Sequence, residues 1–157
     1  MSETCHECGG PVVEERGPQS VQVGERFVTV EAESLRCTAC GEIVFHLYKA
    51  EAMERAAVDL VRREEGLLAP AEIEAIRAQY GLSQAAFEQL IHAGPKTVTR
   101  WERGSVAPNG TADTLLRILR DEPGVVERLA RERGVLVRID AAPAPARTER
   151  RRAAGGM

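Results

Sequence analysis

Residues 82–104 read LSQAAFEQLIHAGPKTVTRWERG, and the reading of this stretch decides the second half of the chain. Ser83 stands before an apolar-periodic run, where its hydroxyl can cap a helix, and Phe87, Leu90 and Ile91 give that helix an inner face. His92-Ala93-Gly94 then predicts a tight turn, and Pro95 is suited to the first position of a following helix that runs to Arg103 and stops at Gly104. Two helices joined by a three-residue turn containing glycine make a helix-turn-helix. On the second helix Lys96, Thr97, Arg100 and Arg103 share one face, while Val98 and Trp101 point the other way, toward a core. A cationic outer face on a helix anchored by an apolar inner face is what a recognition helix needs. The arginine fork of Arg100 can meet O6 and N7 of guanine, and Thr97 can reach a phosphate or a thymine methyl. Gln84, at the start of the preceding helix, can hold a phosphate through its side chain and backbone N–H. An ordinary solvated helix with Trp101 in the core is the competing reading.

Outward from this stretch the pattern stays helical. Pro70 opens a helix with Ile73, Ile76 and Tyr80 on one face, stopped by Gly81. After Pro108-Asn109-Gly110, Leu115, Leu116, Ile118 and Leu119 mark a fourth helix, and Pro123 to Gly134 a fifth. Five short helices with short connections predict a compact bundle over residues 70–139. Within it Val135–Ile139 (VLVRI) is an apolar run fit for a short strand or a dimer contact.

The first half follows different rules. Cys5-His-Glu-Cys8 and Cys37-Thr-Ala-Cys40 are two C-x-x-C pairs separated by 28 residues, each followed by glycine. Two residues between thiolates let a tight turn aim both sulfurs at one ion, and four such sulfurs complete a tetrahedral Zn²⁺ shell. The expectation is one structural Zn²⁺ per chain on Cys5, Cys8, Cys37 and Cys40, with no position open for water and no seat for His6 or His46. Between the pairs Val21 and Val23 alternate with polar residues, and Phe27, Val28 and Val30 begin a second β-rich run that ends near Leu35. Gly17-Pro18 and Gly24-Glu25 read as turns, and Ile43–Phe45 as a third strand. From about Lys49 the spacing of Met53, Ala56, Ala57, Leu60 and Val61 becomes helical, to about Glu65, with Leu67–Pro70 as a short linker.

Together these readings predict an α+β protein of two domains. Residues 1–69 form a small zinc-bound β-rich domain with a connecting helix, residues 70–139 an all-α five-helix helix-turn-helix domain, and residues 140–157 a disordered basic tail. In that tail Arg147, Arg150, Arg151 and Arg152 either touch DNA phosphate or only keep the chain in solution. Length and composition agree: 157 residues with 4% aromatics suit two small cores better than one large one. No run nears the ~20 apolar residues of a membrane span and the N-terminus is not a secretory signal, so the expected setting is the cytoplasm. Residues 1–69 hold 13 acidic and 7 basic residues, whereas residues 70–134 are neutral, with nine of each. The acidic half suits a basic protein partner, or is simply solvated surface.

The segment 82–104 resembles the Cro/repressor-type helix-turn-helix in its Leu-Ser-Gln start and its Thr-Val-Thr-Arg-Trp-Glu-Arg-Gly recognition segment. Zinc knuckles, a β-rich insert, a helix and this module, in that order over residues 1–134, resemble the MqsA-type antitoxins, whose N-terminal part is the YgiT-type zinc finger. The resemblance implies an antitoxin of a type II toxin-antitoxin system that binds an RNase-type toxin through its zinc domain. It further implies a homodimer that represses its own operon at a palindromic operator, with zinc on the four cysteines and Arg100 reading a base. Lys96 stands where the family often carries Asn, and His92-Ala93 replaces the common Gly-Val. A stand-alone zinc-finger/helix-turn-helix transcription regulator without a toxin is the other function class. An enzyme is not expected, because the closed metal shell comes with no paired acid and base.

Overall fold

The computed structural model describes residues 4–139. Two long strands, β1 (Val12–Val23) and β2 (Arg26–Cys37), form an antiparallel hairpin in register from Val23↔Arg26 to Val12↔Cys37. Its two-residue turn is Gly24-Glu25, as expected, and Gly24 takes the positive φ (62°) that a tight hairpin turn requires. The strands are far longer than the expected run from Val21. Gly17-Pro18 is not a turn: it lies inside β1, paired with Ala32 and Glu31. Proline is tolerated there because β1 is the outer strand of the sheet, where a missing N–H breaks no ladder on the open side. β3 (Ile43–Val44) is two residues long and pairs with Leu35 and Arg36, one residue shorter than expected.

Burial alternates residue by residue from Glu14 to Val23 and from Phe27 to Ser34. Val21 and Val28 face each other across the strands and pack with Ala57 and Val61 of helix α1 (Leu47–Glu65), flanked by Val23, Val30, Met53 and Leu60. The opposite face, with Phe27, Thr29, Glu31 and Glu33, meets solvent. Gly66 (φ 66°) ends α1 by donating its N–H to the Arg62 and Arg63 carbonyls.

Five further helices follow: α2 (Pro70–Gln79), α3 (Gln84–Ile91), α4 (Thr97–Arg103), α5 (Gly110–Asp121) and α6 (Pro123–Arg133). Their starts have visible causes. The Glu72 carboxylate accepts from the Ala69 N–H (2.7 Å), Ser83 Oγ from the Ala86 N–H (3.1 Å), and Asn109 Oδ1 from the Ala112 N–H (2.8 Å). Their inner faces close one core around Ile73, Ile76, Tyr80, Phe87, Leu90, Trp101, Leu116 and Leu119. The Tyr80 hydroxyl donates to the Leu119 carbonyl, and burial pushes its pKa up.

Three expectations change here. The Leu67–Pro70 linker is not free, because Leu68 is fully buried in the helical core and its N–H donates to Asp113 Oδ1 (2.7 Å). Arg117 pairs with the same carboxylate (2.7 Å) and also donates to the Gly66 carbonyl (2.8 Å). Of the two readings of residues 135–139, a short strand or a dimer contact, the strand does not form. The segment runs extended over the helices with Val135, Val137 and Ile139 packed inward and the Arg138 N–H on the Tyr80 carbonyl (3.0 Å). Finally, the α3–α4 connection is five residues, His92–Lys96, and Pro95 is not helical. The Thr97 N–H closes on the Gly94 carbonyl (3.2 Å) around Pro95 and Lys96, and Lys96 sits at φ 64°, ψ 7°. Proline followed by a left-handed residue is the type II turn pattern, so the helix starts two residues late. The basic tail expected over residues 140–157 lies outside the described residues.

Candidate metal centre and candidate nucleic-acid interface

The open end of the hairpin gathers the four cysteines. Cys8 and Cys37 sulfurs are 3.5 Å apart, Cys5 and Cys40 sulfurs 3.7 Å, and all four lie within 4.8 Å of one another. Four sulfurs at ~2.3 Å around one ion stand about 3.8 Å apart at tetrahedral angles, so the cluster has the size of a metal shell.

The chain reaches this geometry through two matching loops. The Gly9 N–H bonds the Cys5 carbonyl (2.8 Å) and the Gly41 N–H the Cys37 carbonyl (2.9 Å), and both glycines take a left-handed φ (70° and 78°). The Thr38 N–H ties the second loop to the Pro11 carbonyl of the first (3.0 Å). Gly10 closes the cradle: a Cβ there would stand 2.8 Å from the Ala39 Cβ and 3.2 Å from the sulfurs of Cys8 and Cys37.

The thiols disturb one another strongly. The Cys40 N–H draws Cys37 down to about 6 against its burial, with help from the Ala39 N–H. The Glu42 N–H pulls on Cys40, but the neighbouring thiols of Cys8 and Cys37 and burial push it up to about 12. Four thiolates in this space need a cation to coexist, which is the chemistry of a metal-binding donor set. His6 is exposed and His46 stacks on Tyr48 at 5.5 Å, and neither joins the four-sulfur group.

In the helical half α3 and α4 present the second site. Val98 and Trp101 are buried beneath α4. Lys96, Arg100 and Arg103 are exposed and Thr97 is half-buried, so the cationic row points outward. Arg100 sets its Nε against the Lys96 carbonyl (3.3 Å). Gln84 sits differently from expectation in its side chain, which turns inward: Nε2 donates to Glu102 (2.7 Å) and Oε1 accepts from the Thr99 hydroxyl (2.8 Å). The same carboxylate takes both Nε and Nη2 of Arg77 (2.7 and 3.0 Å). Burial raises the Glu102 pKa, but Arg77 and Gln84 outweigh it and hold the carboxyl below its ordinary value.

Sequence reasoning passed over Glu88. This buried carboxylate of α3 accepts the Val98 N–H (2.9 Å) and so caps α4, whose own N-cap residue Lys96 offers no side-chain bond. The signal was available: a glutamate beside Phe87, two residues before Leu90, sits on the inward face of a helix.

Comparison with known proteins meets both sites at once. Residues 3–130 match the family described as the antitoxin component of a bacterial toxin-antitoxin system, MqsA. A curated relative, Antitoxin HigA-2 of Vibrio cholerae serotype O1, is 36% identical over 63 residues, which is 40% of this chain and 61% of that protein. The chain thus spans about three-fifths of the length of the curated relative it matches. Among the described residues no helix is long and apolar enough to cross a membrane. The family match takes in both cysteine pairs, the hairpin, α1 and the helices around the α3–α4 turn in one unbroken span, and on that ground the chain belongs to the MqsA antitoxin family.

Proposed function

We propose that this antitoxin represses its own operon as a homodimer on palindromic operator DNA and neutralises an RNase-type toxin through residues 1–69. The observation that carries the DNA reading is the outward cationic row of α4 over a buried Val98 and Trp101. Laid in a major groove, Arg100 is the base reader, by its fork on guanine, and Thr97 and Arg103 fix the helix on the backbone. Lys96 takes a base edge or a phosphate as a point charge rather than making the bidentate adenine contact of Asn. Gln84 contributes its backbone N–H to a phosphate, its side chain being engaged with Glu102 and Thr99. A two-fold dimer reads half-sites about one helical turn apart, ~34–36 Å.

In this reading the ion on Cys5, Cys8, Cys37 and Cys40 is a structural Zn²⁺, and the chain catalyses nothing. The division of labour follows the sequence: 1–69 for the toxin, 70–139 for DNA. An RNA-cleaving toxin carries basic surface to hold phosphate, which an acidic hairpin half attracts and covers. The open edges are β1 and the stretch of β2 from Arg26 to Ser34 that no strand covers among the described residues, and a toxin strand can add there.

A gel-shift titration on the DNA upstream of the gene tests the first half. Arg100→Ala is expected to weaken specific binding by ~1–3 kcal/mol, and unchanged affinity overturns the assignment. Co-purification with the product of the adjacent gene tests the second. A helical half that regulates normally beside a zinc half that binds no neighbouring product favours a stand-alone regulator.

A further inference from the structure

Helix α1 has a second buried face, turned away from the hairpin core. Ala57 and Val61 pack on the hairpin, whereas Val58 and Arg62, each one residue further along, are 7% and 4% exposed, and Val58 belongs to neither apolar core. Val58 lines a groove of about 390 Å³ opposite Val106 and Ala107, in the segment that follows α4. Arg62 reaches the end of α4 itself. Its Nη1 pairs with Asp59 Oδ1 (2.6 Å). Its Nη2 lies 3.7 Å from where a Cβ on Gly104 would stand, with Pro70 Cγ 3.5 Å from the same point. Gly104 ends α4, its N–H bonding the Arg100 and Trp101 carbonyls. A cation of the N-terminal half is therefore buried against the carbonyl end of the recognition helix, where the helix dipole is negative. On the α1 side its backbone is held as firmly, the Arg62 carbonyl accepting the Gly66 and Leu67 N–H groups.

We infer that Arg62 is a positioning residue for DNA binding. Its guanidinium seats the end of α4 against α1 and so sets the angle at which Arg100 and Arg103 are presented, while Arg62 itself touches no DNA. Stability does not call for a charge here. Taking a guanidinium out of water is costly, and an apolar side chain of similar volume holds two packed elements as well or better. Asp59 does not call for it either, being half-exposed and already paired with Arg63 (2.7 Å). What an arginine adds is a directed cation at a helix end, which fixes orientation where an apolar contact would slide. The inference rests on the operator binding of the proposed function and assigns to that site a residue from the other half of the chain.

The experiment is a gel-shift titration of the full chain on the DNA upstream of the gene, over a salt series, beside thermal unfolding. Arg62→Met is expected to lower specific affinity about twofold to thirtyfold, the range of substitutions that act through a packed contact. Its thermal transition should stay level or rise, because the methionine fills the space without burying a charge. Arg62→Lys, which keeps a cation at the helix end, should fall between the two in affinity. The salt dependence of Arg62→Met should match the wild type, whereas Arg103→Ala should reduce the slope by about one. Combined with Arg100→Ala, Arg62→Met should cost less than the product of the two single losses. A wild type that binds specifically, with Arg62→Met equal to it, overturns the inference while the operator reading stands. A reduced salt slope in Arg62→Met means that Arg62 meets a phosphate itself, and losses that simply multiply mean that it does not act through α4; either overturns the positioning role. Stability lost in step with affinity, with neither recovered in Arg62→Lys, makes the residue structural only and overturns it too. A wild type that binds upstream DNA no better than unrelated DNA overturns the operator reading and this inference together.

Discussion

Among the described residues, thirteen buried apolar side chains hold the helical half together, whereas the hairpin and α1 share a cluster of four. That small cluster lies toward the hairpin's tip, and the four sulfurs lie at its open end. The hairpin is therefore fixed twice, by packing at one end and by sulfur chemistry at the other. The difference teaches where each half is vulnerable. The helical half depends on volume, and the N-terminal half on what its four clustered sulfurs hold, the Zn²⁺ proposed above.

Removing the metal should produce the largest change. A structural zinc site contributes on the order of 10 kcal/mol to folding, far more than four small side chains supply. Chelation, or Cys37→Ser, should abolish the order of residues 4–46 while circular dichroism still shows the helices of residues 70–133. Chelation that leaves the amide protection of the hairpin unchanged would erase the contrast between the halves.

Phe87→Ala attacks the other side of the comparison. Phe87 is completely buried, and its truncation should cost about 3–5 kcal/mol. The helical transition should fall steeply while metal content stays at its original stoichiometry. Loss of the metal in this variant would show that the halves do not stand independently.

A smaller effect separates the halves by pH. Glu102 is held below its ordinary value in the folded protein, so it adds stability above the unfolded carboxyl value of about 4.3. That contribution is lost as pH falls through the lower folded-state value. Urea unfolding of the helical half between pH 7 and pH 3 should show this loss, and Glu102→Gln should flatten it. The variant also leaves Arg77 without its anion, at a cost of about 2–3 kcal/mol near neutrality.

The finest test is a gain. His92 caps α3 at φ 58°, a conformation that costs a side-chain-bearing residue ~1 kcal/mol. His92→Gly should therefore raise the helical half's stability by roughly 0.5–1 kcal/mol in thermal unfolding, less whatever the contact of Arg133 with the imidazole contributes. A destabilised variant would show that this contact, and not the backbone, decides the position.

Legibility in the sequence divides by the range of the interaction. The cysteine pairs, the Gly24-Glu25 turn, the Ser83 cap and the inward Val98 and Trp101 are local patterns, and the structure has each where the spacing put it. Where the structure departs from the local pattern, the surroundings of the segment decide. Gly17-Pro18 signals a turn by composition alone, and only its place on an outer strand makes it a strand pair. Pro95 suits a first helical position or the second position of a turn. The left-handed Lys96 decides between them, and α4 starts where Glu88 accepts the Val98 N–H. Leu68 reads as a spacer in the sequence because its hydrogen-bond partner, Asp113, lies 45 residues away.

That last bond makes the junction a splint rather than a tether. Gly66 and Leu68 are both fastened to α5, through Arg117 and Asp113, so α1 and α2 meet at a set angle. A load attached at the hairpin cannot swing away from the helices on a slack chain. It is carried at a fixed bearing from α4, like a flag on a rigid pole. A residue or two inserted between Gly66 and Leu67, ahead of the buried Leu68, would leave the helical core in place and change that bearing. The spacing between Gly66 and Pro70 is thus a ruler, and what it sets is where the hairpin stands relative to α4.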